Sequence, residues 1–157
     1  MIPEWTTLEW FEFLSYCATI VGIPMALWLF MHEEKKERQA EQEEIYDKLM
    51  DHYDHILGRL FEHPDIDQHN KPIEDPELKR QQKLLYEMLV TLFERAFILL
   101  YGESELSYKR MWNSWEDYIR VWVARPNFIE LLPELIKGED PDFVAYMSRL
   151  TNIPLEP

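Results

Sequence analysis

The sequence predicts an all-α protein. In it, a single N-terminal transmembrane helix continues into a solvated stalk and leads to a cytosolic bundle of four to five helices. Three observations lead to this prediction. Phe13 to Met31 contains no charged residue, apolar residues after Glu44 recur at spacings of three and four, and the chain has only 4 glycines in 157 residues. We therefore assign residues 1–31 to an external lead and the span, 32–44 to the stalk, and 45–157 to the bundle.

The uncharged run from Phe13 to Met31 is long enough to cross a bilayer, because nineteen residues of helix extend about 28 Å. Three other interpretations compete with a transmembrane helix. A cleaved signal peptide would begin with basic residues and end at small ones. A buried helix of a soluble protein usually has a polar face, and an interfacial helix needs a charged face along its whole length. The run has none of these features, so a transmembrane helix is favoured.

The residues that flank the run indicate its orientation. Trp10 and Trp28 lie near its two ends, as expected of side chains at a membrane interface. Residues 1–31 contain no Lys or Arg, whereas Lys35, Lys36 and Arg38 follow the run closely. The positive-inside rule then puts the N-terminus outside and the C-terminal domain in the cytosol.

Glu9 and Glu12 lie about one helical turn apart, just before the run. In an oligomer they could form an acidic ring, which makes them candidate pore-mouth residues. More commonly, acidic residues at such a position simply mark where the lipid headgroups begin.

The next two segments predict a stalk and a first cytosolic helix. Residues 32–44 have Ala40 as their only apolar residue and contain no helix breaker, so a solvated helix of about 20 Å is expected. An apolar stripe then covers Ile45 to Glu62 and must pack against another element. Residues 63–75, with two prolines and several Asp and Asn, are typical of a loop.

The second cytosolic helix is predicted from Pro76 to Tyr101, with Asp75 as its cap and Gly102 as its end. From Leu84 onward it is apolar almost all round, which predicts a central buried helix. A second span is disfavoured, since each charged residue at a bilayer centre costs about 2.5–3.5 kcal/mol. The charged residues inside this segment are Glu87, Glu94 and Arg95.

Three shorter helices complete the predicted bundle. One begins at Ser104 or Ser107 and ends near Ala124, before Pro126. The next covers residues 127–137 and ends at Gly138. The last is opened by Asp140-Pro141 and extends to about Leu150.

An aromatic stripe runs along the third cytosolic helix. Its members recur at spacings of four, three, four and three, which places them on one helix face. One interpretation is a surface for a partner or ligand, and the other, which periodicity alone favours, is a packed core. The stripe consists of Tyr108, Trp112, Trp115, Ile119 and Trp122. The candidate partner or ligand residues are Trp112, Trp115 and Trp122 together with Arg95 and Arg125.

The sequence contains no recognisable catalytic, cofactor or metal motif. The Glu-x-x-His motif of di-iron bundles is absent, as are a phosphate-binding glycine loop, a nucleophile elbow and an HExxH motif. Asp51 and His55 lie one turn apart, but no further ligands complete a metal site around them. We therefore predict a protein that is not an enzyme and uses no cofactor or metal.

The net negative charge of the chain limits the classes of partner that it can bind. The chain has 30 acidic and 16 basic residues, a net charge of −14, and such a surface repels phosphates, so no nucleic-acid partner is expected. The expected partners are the lipid bilayer and either another protein or further copies of this chain.

Residues 86–150 also carry a resemblance. LFERAF stands at 92–97 and W-x-x-W-x-x-Y-I-x-x-W at 112–122, followed by RPNF at 125–128 and DPDF at 140–143. In these features the chain resembles uncharacterised bacterial membrane-tethered proteins with one N-terminal span and a Trp-rich cytosolic helical domain. The resemblance implies a single-pass protein of the bacterial inner membrane, and it implies no activity, cofactor or site residue.

These observations lead to a ranked set of functional hypotheses. The first is a non-enzymatic membrane-anchored interaction or accessory protein that presents an acidic helical domain at the cytosolic membrane face. The alternative is an oligomeric membrane effector or pore gated by that domain. A third hypothesis is a ligand-binding bundle that uses the tryptophan face and nearby arginines.

Overall fold

A computed structural model of the protein describes residues 7–66 and 73–157. These residues form five α-helices and one short 3-10 turn, with no strand among them, which confirms the predicted all-α class. The helices are α1 (Thr7–Glu62), α2 (Pro76–Leu100), α3 (Leu106–Val123), α4 (Pro126–Leu135) and α5 (Pro141–Thr151), and the turn is Pro64–Ile66. The contacts divide the chain into two compact units, Met1–Glu43 and Glu44–Pro157.

The described part of the first unit consists of helix α1, which continues through Pro24 without a break. Its apolar portion is long and apolar enough to cross a membrane, and none of that portion is buried within the structure. The Glu34 carboxylate and the Arg38 guanidinium form the ion pair expected one turn apart on a helix.

The second unit has one hydrophobic core to which the end of α1 and all four following helices contribute. α2 packs against α3, α4, α5 and the 3-10 turn. Leu49, Tyr53 and Ile56 supply the contribution of α1. The largest side chains without exposed surface come from the other four helices and the α4–α5 connection: Tyr86, Leu89, Phe93, Leu100, Trp115, Ile119, Trp122, Phe128, Leu132, Ile136, Phe143 and Met147.

The helix ends confirm most of the predicted caps. The Asp75 carboxylate accepts a hydrogen bond from the backbone N–H of Glu77 at 2.8 Å, at the start of α2. The Asp140 carboxylate accepts from the N–H groups of Asp142 and Phe143 at the start of α5. Gly102 and Gly138 have φ angles of +83° and +87°, which L side chains adopt only with strain.

Some boundaries differ from the prediction, and α4 ends at Leu135 rather than at residue 137. α4 begins at Pro126, because proline suits the first position of a helix, where no backbone donor is needed. The predicted loop starts with the 3-10 turn, in which Ile66 is buried and its carbonyl accepts from the amide of Gln82 at 3.0 Å. Residues 67–72 of that loop lie outside the described part of the chain.

Candidate functional site

α2 has an exposed apolar face, which we call the outer face of α2. Leu84, Met88 and Ile98 are 51–57% exposed on it, and Leu99 is also exposed. The polar members lie between them, with Glu87 and Thr91 half-buried and Arg95 exposed. The outer face therefore consists of Leu84, Glu87, Met88, Thr91, Arg95, Ile98 and Leu99.

This face corrects the prediction of a helix buried all round. Core contacts take up only one side of α2, where Tyr86, Leu89, Val90 and Phe93 have no exposed surface. Single exposed apolar residues are normal on a protein surface, whereas contiguous exposed apolar patches are typical of interaction sites. The outer face of α2 is therefore a candidate interaction surface of the second unit.

Two carboxyl groups at the edge of the outer face hold the α4–α5 connection against α2. The backbone N–H of Asp140 donates to the Glu94 carboxylate at 2.5 Å. The Thr91 hydroxyl donates to the Glu139 carboxyl group at 3.2 Å. These bonds bring the side chains of Glu94 and Glu139 together, although the two residues lie 45 positions apart in the sequence.

Burial, the largest effect, acts with the hydrogen bond and negative charge of Glu94 to raise the pKa of Glu139 to about 7, while Thr91 and Arg95 act in the opposite direction. Two neighbouring carboxyl groups of this kind favour a shared proton, because both cannot be ionised without repulsion. The pair joins α2 to the α4–α5 connection through these hydrogen bonds, and Glu139 binds a proton more readily than an ordinary glutamate does.

The three candidate tryptophans lie in the core. Trp115 and Trp122 have no exposed surface, and Trp112 is 7% exposed. The indole N–H of Trp122 donates to the Tyr53 hydroxyl at 3.0 Å. Trp112 packs its ring against Phe97, Tyr101 and Tyr146. In this structure Trp115 and Trp122 offer no surface to a partner.

The two candidate arginines occupy different surroundings. The guanidinium of Arg125 lies 3.7 Å from the centroid of the Trp122 ring, a cation–π contact at the start of α4. Arg95 lies on the outer face of α2 instead. The structure thus brings Arg125 and Trp122 together but does not gather all five candidate residues into one site.

The candidate pore-mouth residues lie at the start of α1. Glu12 is exposed there, and the side chain of Glu9 lies outside the described part of the structure. Their role in a pore stays a prediction.

Some buried polar atoms have no hydrogen-bond partner in the described part of the chain. They are the Ser107 hydroxyl, the Trp115 indole N–H and the Tyr146 hydroxyl. Burial, the largest effect, raises the pKa of Tyr146 well above its usual range. This hydroxyl therefore stays neutral and cannot serve as a base.

A groove of about 500 Å³ lies between α2 and α4 and carries three cations, Lys79, Arg80 and Lys83. Two of the cations are already neutralised, because Arg80 pairs with Glu77 at 3.1 Å and Lys83 with Glu134 at 2.6 Å. The groove is thus a weak anion site. Among the residues that the structure describes, no cluster of three or more His, Cys, Asp or Glu side chains is arranged to hold a metal ion.

Sequence reasoning missed Glu139 and the exposure of the outer face. Glu139 lies next to Gly138 in a connection, where no helical period links it to Glu94. The exposure of the outer face could have been predicted, because a helix that is apolar almost all round in a domain of this size has more apolar surface than its neighbours can cover.

Comparison of the chain with protein-family models, with curated proteins and with solved structures finds no match. The function is therefore argued from the structure alone.

Proposed function

We propose that the protein is a non-enzymatic, membrane-anchored interaction protein. One N-terminal span holds an acidic helical domain at the cytosolic face of the bacterial inner membrane. The observation that carries the anchor is the exposed apolar surface of α1. The large apolar side chains that the structure describes as exposed between Trp10 and Met31 are 43–73% exposed. Burying apolar area gains about 25 cal/mol per Å², so a surface of this extent favours lipid over water.

Local contacts within the segment support the anchor. The Thr19 hydroxyl donates to the backbone carbonyl of Ser15 at 2.9 Å, so this polar group is satisfied without water, as a bilayer interior requires. Trp28 stacks on His32 at the end of the segment. An amphipathic pair of this kind suits the boundary between lipid and water.

The interaction role rests on the outer face of α2. Leu84 and Met88 lie one turn apart on this face, and Ile98 lies further along it beyond Thr91 and Arg95, in a unit whose core is already filled by other side chains. The face gains stability when a partner covers these apolar side chains. Its polar members, Glu87 and Arg95, give the face a charge pattern that can select the partner.

Alkaline carbonate extraction of membranes tests the anchor. We expect the full chain to stay in the membrane pellet and to be released when Ile20 and Ile23 are both changed to Arg. Each arginine at mid-membrane costs about 2.5–3.5 kcal/mol. Glu41→Arg, which adds a cation at an exposed position outside the apolar run, is the matched control and should stay in the pellet.

Two outcomes would overturn the anchor. One is release of the unaltered chain by carbonate. The other is a measured mass which shows that the mature protein lacks the apolar run, because that would identify the segment as a cleaved signal peptide.

A further inference from the structure

The outer face of α2 contains a row of residues that is complementary to itself. Glu87, Thr91 and Arg95 follow one another at intervals of four, so they lie along a single ridge of the helix. The ridge has an acidic end, a small polar centre whose hydroxyl donates to Glu139 of the α4–α5 connection, and a basic end. When a second copy of the ridge is rotated by 180° about Thr91, the acidic end of each copy faces the basic end of the other.

We infer that the outer face of α2 binds the same face of a second copy of this chain, with the two α2 helices antiparallel and a two-fold axis between the two Thr91 residues. Ridges formed by residues four positions apart pack into each other's grooves when two helices cross at about −50°, the commonest class of helix packing. In that arrangement Glu87 of each copy lies beside Arg95 of the other, and the contact occurs twice, as an isologous interface requires.

Apolar contacts accompany the charges. Leu99 continues the ridge beyond Arg95, and Leu84 and Met88 form the neighbouring ridge. With the helices antiparallel, Leu84 and Met88 lie against Leu99 and the aliphatic stem of Arg95 from the second copy. All four side chains are exposed in the single chain, so the pairing covers apolar surface that would otherwise face water.

Charge favours a second copy over a lipid surface as the occupant. Glu87 lies on the outer face itself, and the Glu94 and Glu139 carboxyl groups lie at its edge. An anionic bilayer surface attracts basic segments and repels such a face. The two ion pairs of the antiparallel dimer instead use the acidic and the basic residue together.

This inference deepens the proposed function, since it names the partner of the outer face, and it rests on the interaction role rather than on the anchor. Cross-linking of the full chain in lipid nanodiscs tests the axis. In a Cys17→Ser background, Thr91→Cys should form an intermolecular disulfide, because residues on the axis come within the Cα separation of about 4.4–6.8 Å that a disulfide needs. Glu77→Cys, on the same helix but far from the axis, is the control and should not cross-link.

Charge exchange tests the pairing. Glu87→Arg and Arg95→Glu should each weaken dimerisation about a hundredfold, because each places like charges opposite one another twice. Mixing the two variants should restore a dimer, since one chain then carries only arginines and the other only glutamates at these positions. Glu103→Arg makes the same charge change at an exposed connection and should leave the dimer intact.

Particle mass in detergent micelles distinguishes the outcomes. A dimer for the unaltered chain, monomers for each single variant and a dimer for their mixture support the inference. A monomeric unaltered chain, a closed ring of more than two copies, or a mixture that stays monomeric overturns it. Thermal unfolding of each variant shows whether a monomer arises from a misfolded chain or from the loss of the ion pairs alone. The mixture is decisive, because it can restore the dimer only through pairing of the exchanged charges.

The experiments test the anchor and the dimer separately. A monomer that resists carbonate extraction would support the membrane anchor and contradict the dimer. A dimer that carbonate releases would support the dimer and contradict the anchor.

Discussion

The indole N–H of Trp122 donates a hydrogen bond to the hydroxyl of Tyr53 at 3.0 Å, although 69 residues separate the two in the chain. The bond joins α3 to the end of α1 inside the second unit. Arg125 covers the same indole ring from the start of α4. Trp115, on the same face of α3, is equally buried, but its N–H has no acceptor among the described residues.

This difference predicts the outcome of two matched substitutions. Trp122→Phe and Trp115→Phe remove the same atoms from side chains without exposed surface. Only Trp122→Phe also breaks a hydrogen bond, leaves the buried Tyr53 hydroxyl without its donor and weakens the cation–π contact with Arg125. We expect Trp122→Phe to lower the free energy of unfolding by about 1–2 kcal/mol more than Trp115→Phe. Urea unfolding followed by far-ultraviolet circular dichroism measures both.

Tyr53→Phe supplies the control, since it removes the acceptor and leaves the ring in place. Combined with Trp122→Phe in a double-mutant cycle, it should show a coupling free energy of about 1 kcal/mol. Equal losses for the two tryptophan variants, or no coupling, would contradict this account of the bond.

The raised pKa of Glu139 predicts a pH dependence of stability. Between the ordinary glutamate pKa of 4.5 and about 7, the folded protein holds a proton that the unfolded chain releases. The contribution of this group to stability therefore decreases as pH rises through that range. Glu139→Gln removes the titration, so unfolding measured from pH 5 to 8 should depend less on pH. Above pH 7 the variant should be more stable than the parent, by less than about 1 kcal/mol because solvent screens the partly exposed pair.

Glu134→Gln is the control for Glu139→Gln. The hydrogen bond from Lys83 lowers the pKa of Glu134. This stabilising contact is therefore lost only as the pH falls below the ordinary pKa of a glutamate. Between pH 5 and 8 the Glu134 variant should differ from the parent by a constant amount. An unchanged pH profile for the Glu139 variant would exclude the shared proton.

The cap of α5 predicts a loss of stability. Asp140 accepts hydrogen bonds from two backbone N–H groups of the first turn, at 2.9 and 3.1 Å. Asp140→Ala leaves these donors unpaired and should lower the free energy of unfolding by about 1 kcal/mol. Asp142→Ala removes a neighbouring acidic residue whose side chain does not cap the helix and should change stability less. Thermal unfolding ranks the two, and the reverse order would be inconsistent with the cap.

The proposed orientation predicts a labelling pattern. Ser104 lies in the exposed connection between α2 and α3. In a Cys17→Ser background, Ser104→Cys should react with a membrane-impermeant maleimide only after spheroplasts are permeabilised, because the second unit faces the cytosol. Labelling in intact spheroplasts would reverse the orientation that the positive-inside rule assigns.

Several features of the fold follow from short stretches of sequence. Asp75-Pro76 and Asp140-Pro141 start helices, and Gly102 and Gly138 take positive φ just beyond α2 and α4. Caps of this kind act between residues a few positions apart, so a local pattern is enough to predict them. The candidate site was less predictable, since Glu94 and Glu139 meet only after α2 and the α4–α5 connection have packed together.

The sequence by itself determined the helical class, the caps at most helix ends and the apolar run of α1, because backbone propensity, capping and hydropathy are properties of neighbouring residues. Tertiary structure decided how much of the apolar surface of α2 is buried. Glu87, Thr91 and Arg95 mark one side of this helix as polar in the sequence, but whether the apolar residues beside them are covered depends on the helices available to pack there. α3, α4 and α5 cover one side of α2, and Leu84, Met88 and Ile98 remain exposed on the other.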